Sequence, residues 1–403
     1  MNSKLHIGLI REGKTPPDFR VVLTPQQCQW IKAQYPQIDI TVQSSPHRRF
    51  EDQEYLNAGI TVSENVHDCD VLIGVKEVPV EQLIADKTYF FFSHTIKKQP
   101  YNAKLLKAVL EKNITLIDYE VIKDVNGKRL IGFGRYAGIV GVFEGIRALG
   151  LKKNWFNLPS PMTFHDRAEM EEASSHITFP EPIKAVVTGW GRVGHGAEEM
   201  MRFFGFKRVE LKAFLENTFD HSVYVQLDSA DYYVHQETGT FNKAEFYQSP
   251  DQYTSVLGDI VQQSDIYFAC HLWKSSNPVL ITATDLADPK NKCKVIADIS
   301  CDINGPIAAT IKATTIENPF YGYDPLTQQE CDWKEENAIM IMSIDNLPCE
   351  LPRDASEDFG NEFIKHVLPE LLKEQSIVLE NATEARDGQL TPLYKYLEEY
   401  ARG

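Results

Sequence analysis

Three apolar runs in the first third of the chain each deliver a side chain that can transfer a proton or hold a charge. The runs DVLIGVK, TYFFFSHTI and ITLIDYE deliver Lys76, His94 and Glu120. Each run is typical of a buried strand in a parallel sheet. The carboxyl ends of such strands face the ligand crevice of an open α/β sheet, and an imidazole exchanges protons there without a large pKa shift. We therefore interpret the three residues as a candidate catalytic set.

A glycine-rich turn between a predicted strand and a predicted helix lies near the middle of the chain, in KAVVTGWGRVGHG. The run Ala185–Thr188 predicts the strand, and Ala197–Phe204 favours the helix. Gly189, Gly191 and Gly194 have the spacing G-x-G-x-x-G, which allows a tight turn, close approach of a pyrophosphate and close helix–strand packing. Because the helix N-terminus presents free N–H groups to a phosphate, this stretch predicts a dinucleotide site.

The first predicted strand, LHIGLI, leads into a basic loop, REGKTPPDFR. The loop carries Arg11, Lys14 and Arg20, and two prolines stiffen it. The pattern is equally compatible with solvated surface charge and with a functional cluster.

The remaining runs predict a two-domain α/β protein, as expected for 403 residues with 43% hydrophobic content. The small residues of Lys128–Gly150 predict a helix that packs closely against another element, and residues 151–182 predict a connection between domains. In the second domain, Arg208–Phe214 is the predicted second strand and Asn217–Ser264 a polar insertion. DIYFACHLW, KVIADIS and IMIMSI predict later strands, and the chain after Asp345 is predicted to be helical.

Composition and charge argue against several classes of function. Lys and Arg number 41 against 57 for Asp and Glu, and the net charge of −16 argues against binding to nucleic acid or to anionic membranes. Seven dispersed cysteines predict reduced thiols in a cytoplasmic protein and no metal framework. No stretch resembles a signal peptide or reaches the roughly 20 apolar residues that span a bilayer. Nothing indicates the oligomeric state.

The choice between NAD and NADP stays open at this level. An acidic residue roughly 20 positions beyond the first glycine usually binds the ribose of NAD, and Glu210 lies near that offset, inside the predicted second strand. The basic residues that could instead bind the additional phosphate of NADP are Arg192, Lys207, Arg208 and Lys212.

Stretches along nearly the whole chain resemble the lysine-forming saccharopine dehydrogenases, above all the lysine–ketoglutarate reductase half of the bifunctional animal and plant enzyme. The stretches are GVKEVP (74–79), FFSHTIKKQ (91–99), LIDYE (116–120), GFGRYAG (132–138), ADISCDINGPI (297–307), TTIENPFYGYD (314–324) and SIDNLPCELPRDAS (343–356). More distantly, the pattern REGK…R…LTP with Lys76 and His94 is similar to alanine dehydrogenase and the transhydrogenase NAD-binding subunit.

The resemblance implies an oxidoreductase that interconverts L-lysine plus 2-oxoglutarate and saccharopine, through an imine that a nicotinamide hydride reduces. It also implies two Rossmann-like domains with parallel sheets. The substrate domain would comprise residues 1–140 plus 346–403, completed by C-terminal helices, and the dinucleotide domain residues 141–345. The implied cofactor is NAD or NADP, and the implied partners are small molecules.

Lys76 and His94 match the acid–base pair of that family. A lysine that acts as a base near neutral pH needs its pKa lowered to roughly 7–8, by burial or by a nearby cation. Glu77, the next residue, would oppose such a shift. The alternatives are another amino-acid dehydrogenase of the alanine dehydrogenase type and a non-catalytic NAD(P)-binding regulatory protein.

The resemblance, the glycine turn and the chemistry of the side chains together assign further residues to substrate and cofactor. Saccharopine carries three carboxylates, so positive charge must be gathered locally in this acidic protein. The substrate candidates are Arg20, Lys97, Glu120, Arg129 and Arg135. The cofactor candidates are Gly189, Gly191, Arg192, Val193, Gly194, His271, Leu272, Ile344, Asp345 and Leu347. No residue is assigned to a metal.

Overall fold

The computed structural model describes residues 4–402, which form two units, each built on an eight-stranded sheet. Unit 1 comprises the described parts of Met1–Phe133 and Pro352–Gly403, and unit 2 comprises Gly134–Leu351. Within the described range, no helix combines the length and the apolar character that crossing a membrane requires.

The strands and helices are numbered separately in chain order. The strands are β1 (Leu5–Leu9), β2 (Ile38–Gln43), β3 (Thr61–Ser63), β4 (Val71–Ile73), β5 (Thr88–Phe91), β6 (Thr115–Asp118), β7 (Lys184–Thr188), β8 (Lys207–Arg208), β9 (Val223–Leu227), β10 (Tyr233–His235), β11 (Tyr253–Ser255), β12 (Ile266–Ala269), β13 (Val295–Asp298), β14 (Phe320–Asp324), β15 (Gln329–Cys331), β16 (Ile339–Met342), β17 (Thr383–Arg386) and β18 (Gln389–Leu390). The helices are α1 (Pro25–Gln34), α2 (Asp52–Asn57), α3 (Ala103–Glu111), α4 (Gly134–Lys152), α5 (Arg167–Ser174), α6 (Arg192–Phe203), α7 (Leu211–Glu216), α8 (Ser229–Tyr232), α9 (Lys243–Gln248), α10 (Leu257–Val261), α11 (Ala283–Ala287), α12 (Pro352–Glu362), α13 (Leu368–Leu371), α14 (Ile377–Ala382) and α15 (Glu398–Arg402).

The sheet of unit 1 has the order β18-β17-β6-β5-β4-β1-β2-β3. The strands from β6 to β3 are parallel to one another, whereas β17 is antiparallel to both of its neighbours, β6 and β18. The central strands are buried on both faces, as Leu72 and Phe90 illustrate with no exposed surface. Continuous apolar runs are therefore the right signal for them. The predicted α/β class, with mostly parallel sheets, is confirmed.

The C-terminal segment of unit 1 contributes strands as well as helices, which corrects the prediction of a purely helical end. Thr383–Arg386 forms β17 beside β6, and the two-residue strand β18 follows it. The sequence TEAR has no apolar run. One of its buried positions is occupied by Glu384, which is hydrogen-bonded instead of exposed. Hydrophobic pattern alone therefore gives no signal for this strand.

The sheet of unit 2 has the order β15-β14-β16-β13-β12-β7-β9-β8. The strands from β16 to β8 are parallel to one another, whereas β14 is antiparallel to both of its neighbours, β16 and β15. Helix α4 packs against α6 with almost no side chain between them. A Cβ atom on Gly138 would lie 2.0 Å from the carbonyl oxygen of Val193, and one on Gly196 would lie 1.9 Å from that of Arg135. The small residues of this helix therefore permit close packing, as predicted.

The second strand of unit 2 lies elsewhere than predicted. Most of Arg208–Phe214 is helix α7, and only Lys207–Arg208 forms a short edge strand. The strand beside β7 is Val223–Leu227, inside the stretch predicted to be an insertion. All five of its residues are buried, so it has the continuous pattern of a central strand. The alternation in RVELKAF was misleading because the buried residue of α7 is Phe214, on one face of a helix.

Candidate active site

Lys76, His94 and Glu120 follow three neighbouring parallel strands of unit 1. Strand β4 pairs with β5, and β5 pairs with β6. The pairing continues past the strand ends, where the N–H of Phe92 donates to the carbonyl oxygen of Val75 at 3.0 Å. Because the carboxyl ends of parallel strands meet at one edge, the structure brings the three candidates to the same edge of the sheet.

His94 is held by a carboxylate. Its backbone has a φ of 53°, a left-handed conformation that is uncommon outside glycine. The imidazole Nδ1 lies 2.6 Å from Oε1 of Glu77. Burial alone would raise the pKa of Glu77, but the hydrogen bond and the charge of His94 lower it to about 2. Because a carboxylate only accepts hydrogen bonds, Nδ1 carries a proton and Nε2 is the nitrogen that can exchange one with a ligand.

The amine of Lys76 lies among charged side chains. Burial lowers the pKa of Lys76, and the charges of Arg20 and Lys14 lower it further. Asp18 and Glu77 act in the opposite direction, with a smaller effect. Lys14 is held nearby, since its Nζ lies 3.5 Å from Oε2 of Glu77. The net shift favours the neutral amine, which is the form that accepts a proton.

Two acidic side chains in the loop between β1 and α1 support this arrangement, and the sequence analysis missed both. Glu12 accepts the N–H groups of Val75 and Lys76 at 2.6 and 2.8 Å, which fixes the backbone after β4. Asp18 accepts from Nε and Nη2 of Arg20 at 2.9 and 2.5 Å. Burial alone would raise the pKa of Asp18, but Arg20 holds it below its usual range. The signal was the alternation of acidic and basic residues in REGKTPPDFR.

The other substrate candidates of unit 1 have different surroundings. Arg20 is 3% exposed, and its guanidinium lies 4.2 Å from the ring centroid of Phe133. Lys97 Nζ lies 2.9 Å from Oε1 of Glu120, whose buried Oε2 has no hydrogen-bond partner among residues 4–402. Arg129 donates from Nε to the carbonyl oxygen of Ile131 at 2.9 Å. The orphaned oxygen of Glu120 is suited to a cationic ligand, because an unsatisfied buried acceptor is costly.

Arg135 belongs to unit 2 and not to unit 1. It lies on α4, where its Nε and Nη2 donate to the two carboxylate oxygens of Glu199 at 2.7 and 2.9 Å. Arg167 donates to the same carboxylate at 2.8 Å. The structure thus gives Arg135 a partner within the protein, which the sequence did not indicate.

The glycine turn of unit 2 has the geometry of a phosphate site. Gly189 has a φ of +93°, and a Cβ there would lie 2.5 Å from the carbonyl oxygen of Cys270. A Cβ on Gly194 would lie 2.1 Å from the carbonyl oxygen of Gly189, whereas one on Gly191 would meet no described atom within 4 Å. Arg192 and Val193 begin helix α6 immediately after this open position. Two glycines are therefore required by packing, and the third leaves space at a helix N-terminus.

His271 adds an unsatisfied polar atom at the same edge. It follows β12, is 7% exposed, and its Nδ1 lies 2.9 Å from the hydroxyl of Thr188 and 3.3 Å from that of Tyr267. Burial lowers the pKa of His271 to about 4, so the ring is neutral at physiological pH. Its Nε2 has no partner within the described part of the chain. A dinucleotide fits this edge, because it would fill the space at Gly191 and could bind Nε2.

The remaining cofactor candidates follow strands of the same parallel set. Leu272 follows His271 and is 88% exposed. Ile344 and Leu347 are buried after β16, and Asp345 between them is exposed.

The acidic residue at the end of the strand that pairs with β7 on this side is Asp228 and not Glu210. Glu210 precedes α7, away from the end of a central strand, whereas Asp228 directly follows β9, the neighbour of β7. This is the position from which an acidic residue reaches the ribose in a Rossmann fold. The run VYVQL before Asp228 was the signal that could have found it. Of the basic candidates, Arg208 lies 5.3 Å from the ring centroid of Trp190 in the glycine turn.

Comparison with known proteins agrees with this architecture. Residues 8–140 match the family described as alanine dehydrogenase/PNT, N-terminal domain, and residues 166–392 match alanine dehydrogenase/PNT, C-terminal domain. An L-alanine dehydrogenase structure is similar with a TM-score of 0.67 at 18% identity, covering 98% of this chain and 99% of that chain. A transhydrogenase from Sinorhizobium meliloti has a TM-score of 0.61 at 15% identity, covering 96% and 100%. These two structures show the shared fold.

Curated relatives include two kinds of enzyme. The alpha-aminoadipic semialdehyde synthase of Mus musculus, a mitochondrial protein by name, is 31% identical over 99% of this chain and 48% of its own length. The saccharopine dehydrogenase [NAD(+), L-lysine-forming] of Yarrowia lipolytica is 25% identical over 91% of both proteins. The chain thus spans about half the length of the animal relative, and its resemblance to the saccharopine dehydrogenases is confirmed. Because the chain matches both the N-terminal and the C-terminal domain of the alanine dehydrogenase/PNT family, it belongs to that family.

Proposed function

We propose that this chain is an oxidoreductase that interconverts L-lysine plus 2-oxoglutarate and saccharopine with a nicotinamide dinucleotide. The observation that carries the proposal is the surroundings of Lys76, where burial and two cations lower the pKa of the amine beside the pair of His94 and Glu77. These groups are the base and the acid that C–N bond formation requires. The name of the Yarrowia lipolytica relative supports lysine as the amino acid.

In the proposed reaction, Lys76 and His94 transfer protons at different atoms. Neutral Lys76 accepts a proton from the ε-ammonium of the substrate lysine, so that the free amine attacks the ketone carbon of 2-oxoglutarate. The alkoxide oxygen takes a proton from the attacking nitrogen, which gives the neutral carbinolamine. His94 then donates a proton to the carbinolamine hydroxyl, which leaves as water and gives the protonated imine. Glu77 keeps the imidazole oriented through Nδ1. A bound reduced nicotinamide would supply the hydride that converts the imine to the secondary amine of saccharopine.

The charged residues of unit 1 are proposed to bind the substrates. Lys97 and Arg129 would attract substrate carboxylates, since an arginine can bind a carboxylate through two hydrogen bonds. The orphaned oxygen of Glu120 would accept a hydrogen bond from a substrate ammonium. Arg20 and Lys97 each already bind a carboxylate of unit 1, so a substrate carboxylate would share those cationic groups. Arg135, the remaining candidate, lies in unit 2 and is bound to Glu199.

The Lys14→Met variant is expected to move the pH dependence of the reaction. Loss of this charge raises the pKa of Lys76, because Lys14 is one of the cations that lower it. The base must be neutral, so kcat/KM for lysine plus 2-oxoglutarate rises with pH through that pKa. We expect the rising limb of the pH profile to move upward by about half a pH unit, because the lost charge is nearby but partly screened by solvent. Lys14→Arg keeps the charge and is the control, and an unmoved limb in Lys14→Met would contradict the role of Lys76.

The dinucleotide is proposed to bind in the domain formed by residues 141–345, and the substrates are proposed to bind the domain formed by residues 1–140 plus 346–403. Gly189, Gly191 and Gly194, with Arg192 and Val193, would receive the pyrophosphate at the N-terminus of α6. The other contacts would come from the ends of β12 and β16, through His271, Leu272, Ile344, Asp345 and Leu347.

Asp228 is proposed to favour NAD over NADP, because its carboxylate would bind the ribose hydroxyls and repel a phosphate there. The name of the Yarrowia lipolytica relative, which specifies NAD(+), supports this choice. In Asp228→Ala, KM for NADH is expected to rise by about tenfold, as for loss of one charge-assisted hydrogen bond. KM for NADPH should fall or stay unchanged. A wild-type enzyme that prefers NADPH would contradict the proposal.

The decisive experiment is a steady-state assay of the purified protein with lysine plus 2-oxoglutarate, in parallel with NADH and NADPH. Loss of absorbance from the reduced nicotinamide that depends on both substrates supports the proposal. Two further assays are run beside it, with pyruvate plus ammonia and NADH, and with alanine and the oxidised nicotinamide. Turnover of alanine without turnover of lysine would assign the chain to the alanine dehydrogenase type. Tight NADH binding without turnover of any substrate would indicate a regulatory protein.

The cytoplasmic location predicted from the dispersed cysteines remains part of the proposal. All seven cysteines are free thiols. Cell fractionation tests the location, since the mouse relative is named as a mitochondrial protein.

A further inference from the structure

Two buried carboxyl groups meet where β6 and β17 pair in unit 1. Asp118 ends β6, and Glu384 lies on the antiparallel strand that the C-terminal segment contributes. Both residues are 0% exposed, and the two carboxyl groups are close enough that the charge of Asp118 raises the pKa of Glu384. A buried acidic pair needs an explanation, because an unpaired buried charge is strongly destabilising.

This pair holds the residues on either side of His94. Ser93 donates its N–H and its hydroxyl to Oδ2 of Asp118, at 3.1 and 2.5 Å. The hydroxyl of Thr95 donates to Oε2 of Glu384, and the two hydroxyl oxygens lie 2.6 Å apart. His94, between them, has the left-handed backbone that points its ring toward a carboxylate partner. The pair therefore holds the backbone segment in which His94 has its left-handed conformation.

The same pair reaches the next strand end. Oδ1 of Asp118 accepts the N–H of Glu120 at 2.6 Å. Glu120 in turn forms the ion pair with Lys97. One buried cluster thus fixes the backbone after β5 and after β6.

The donors around the pair indicate which carboxyl group keeps a proton. Asp118 accepts two N–H groups and a hydroxyl, which favours its ionised form. Burial raises the pKa of Glu384, and the charge of Asp118 raises it further, well above its usual range. Of the two carboxyl groups, Glu384 is therefore the one that retains a proton more readily. Glutamine, which has the same shape and an N–H donor, is the matched replacement.

We propose that Glu384 is a positioning residue for the acid–base pair, because it holds residues 93–95 in the conformation that joins His94 to Glu77. The inference rests on the proposed function, in which His94 transfers a proton. It gives the C-terminal segment a part in catalysis, through a residue 289 positions from Thr95.

The test compares three variants of the full chain. In Glu384→Gln, kcat for lysine plus 2-oxoglutarate should stay within about twofold of the wild-type value, since the hydrogen bonds are conserved. In Glu384→Ala, kcat should fall by about 10- to 100-fold, as for misplacement of a catalytic group by about 1 Å. KM for NADH should not change, because the dinucleotide candidates lie in unit 2. Glu380→Gln, at an exposed position of α14, is the control and should match the wild type.

A second readout does not require activity. The imidazole nitrogens of His94 can be observed by ¹⁵N NMR and assigned by their loss in His94→Gln. The signal of Nδ1–H bonded to Glu77 should persist in Glu384→Gln and be lost in Glu384→Ala. If Glu384→Ala does not fold, Thr95→Val removes only the hydroxyl that binds Glu384 and should lower kcat several-fold.

The inference is overturned if folded Glu384→Ala keeps both the wild-type kcat and the wild-type His94 signal. It is also overturned if Glu384→Gln is as impaired as Glu384→Ala, or if KM for NADH rises in parallel with the loss of kcat. A wild-type protein that does not turn over lysine would refute the proposed function alone, since the NMR comparison still decides the role of Glu384.

Discussion

Replacing Lys76 with Met and His94 with Gln together is expected to lower kcat for lysine plus 2-oxoglutarate by about 10²- to 10⁴-fold, the range that positioned acids and bases contribute. The first change removes an amine whose pKa is lowered by burial and by two cations. The second removes Nε2 of His94, which exchanges a proton while Nδ1 is bonded to Glu77. Initial rates at saturating substrate, followed by the absorbance of NADH, measure the effect. The two single variants should each lose nearly as much as the double variant, because residues that act as a unit are not additive.

Matched controls separate chemistry from damage to the fold. Lys104→Met and His47→Gln make the same changes at exposed positions of unit 1 and should leave kcat within about twofold of the wild-type value, as for most surface substitutions. The affinity of the double variant for NADH should also be unchanged, since the dinucleotide candidates lie in unit 2. Unchanged turnover in the double variant would show that Lys76 and His94 are not the acid–base pair.

The second large effect is expected at the glycine turn, where two alanine substitutions should fail in different ways. A Cβ at Gly191 meets no described atom within 4 Å, and its φ of −79° suits alanine. Gly191→Ala should therefore keep the melting temperature of the free protein within about 2 °C, as expected for a neutral substitution. It should weaken NADH binding by at least about tenfold, because the added methyl group occupies the space proposed for the pyrophosphate.

Gly194→Ala provides the contrast. Its Cβ would lie 2.1 Å from the carbonyl oxygen of Gly189, so the backbone of the turn must move. Overpacking of this kind costs about 1–3 kcal/mol, and the melting temperature of the free protein should fall by several degrees. Calorimetric titration with NADH and thermal unfolding without it measure both variants. Wild-type affinity for NADH in Gly191→Ala would place the pyrophosphate elsewhere.

Many of the central strands were predictable because the central strands of mostly parallel sheets are buried on both faces. The apolar runs around β4, β5, β6, β7, β12, β13 and β16 all form strands. The strand β9 was missed although all five of its residues are buried. Two other elements were missed because their patterns differ. In Arg208–Phe214, alternation typical of a strand belongs to a helix. In Thr383–Arg386, a strand is stabilised by a buried carboxyl group that hydrophobicity counts against it.

The sequence by itself determined which groups stand at which strand ends. It places Lys76 and His94 after apolar runs and three glycines between a strand and a helix, because these are local patterns. Only the tertiary structure decided the properties of those groups. The pKa of Lys76 depends on cations of the loop after β1, and the segment that carries His94 is hydrogen-bonded to Glu384 of the C-terminal segment. Desolvation and charge act through space, so residues far apart in the chain set them once the fold has brought them together.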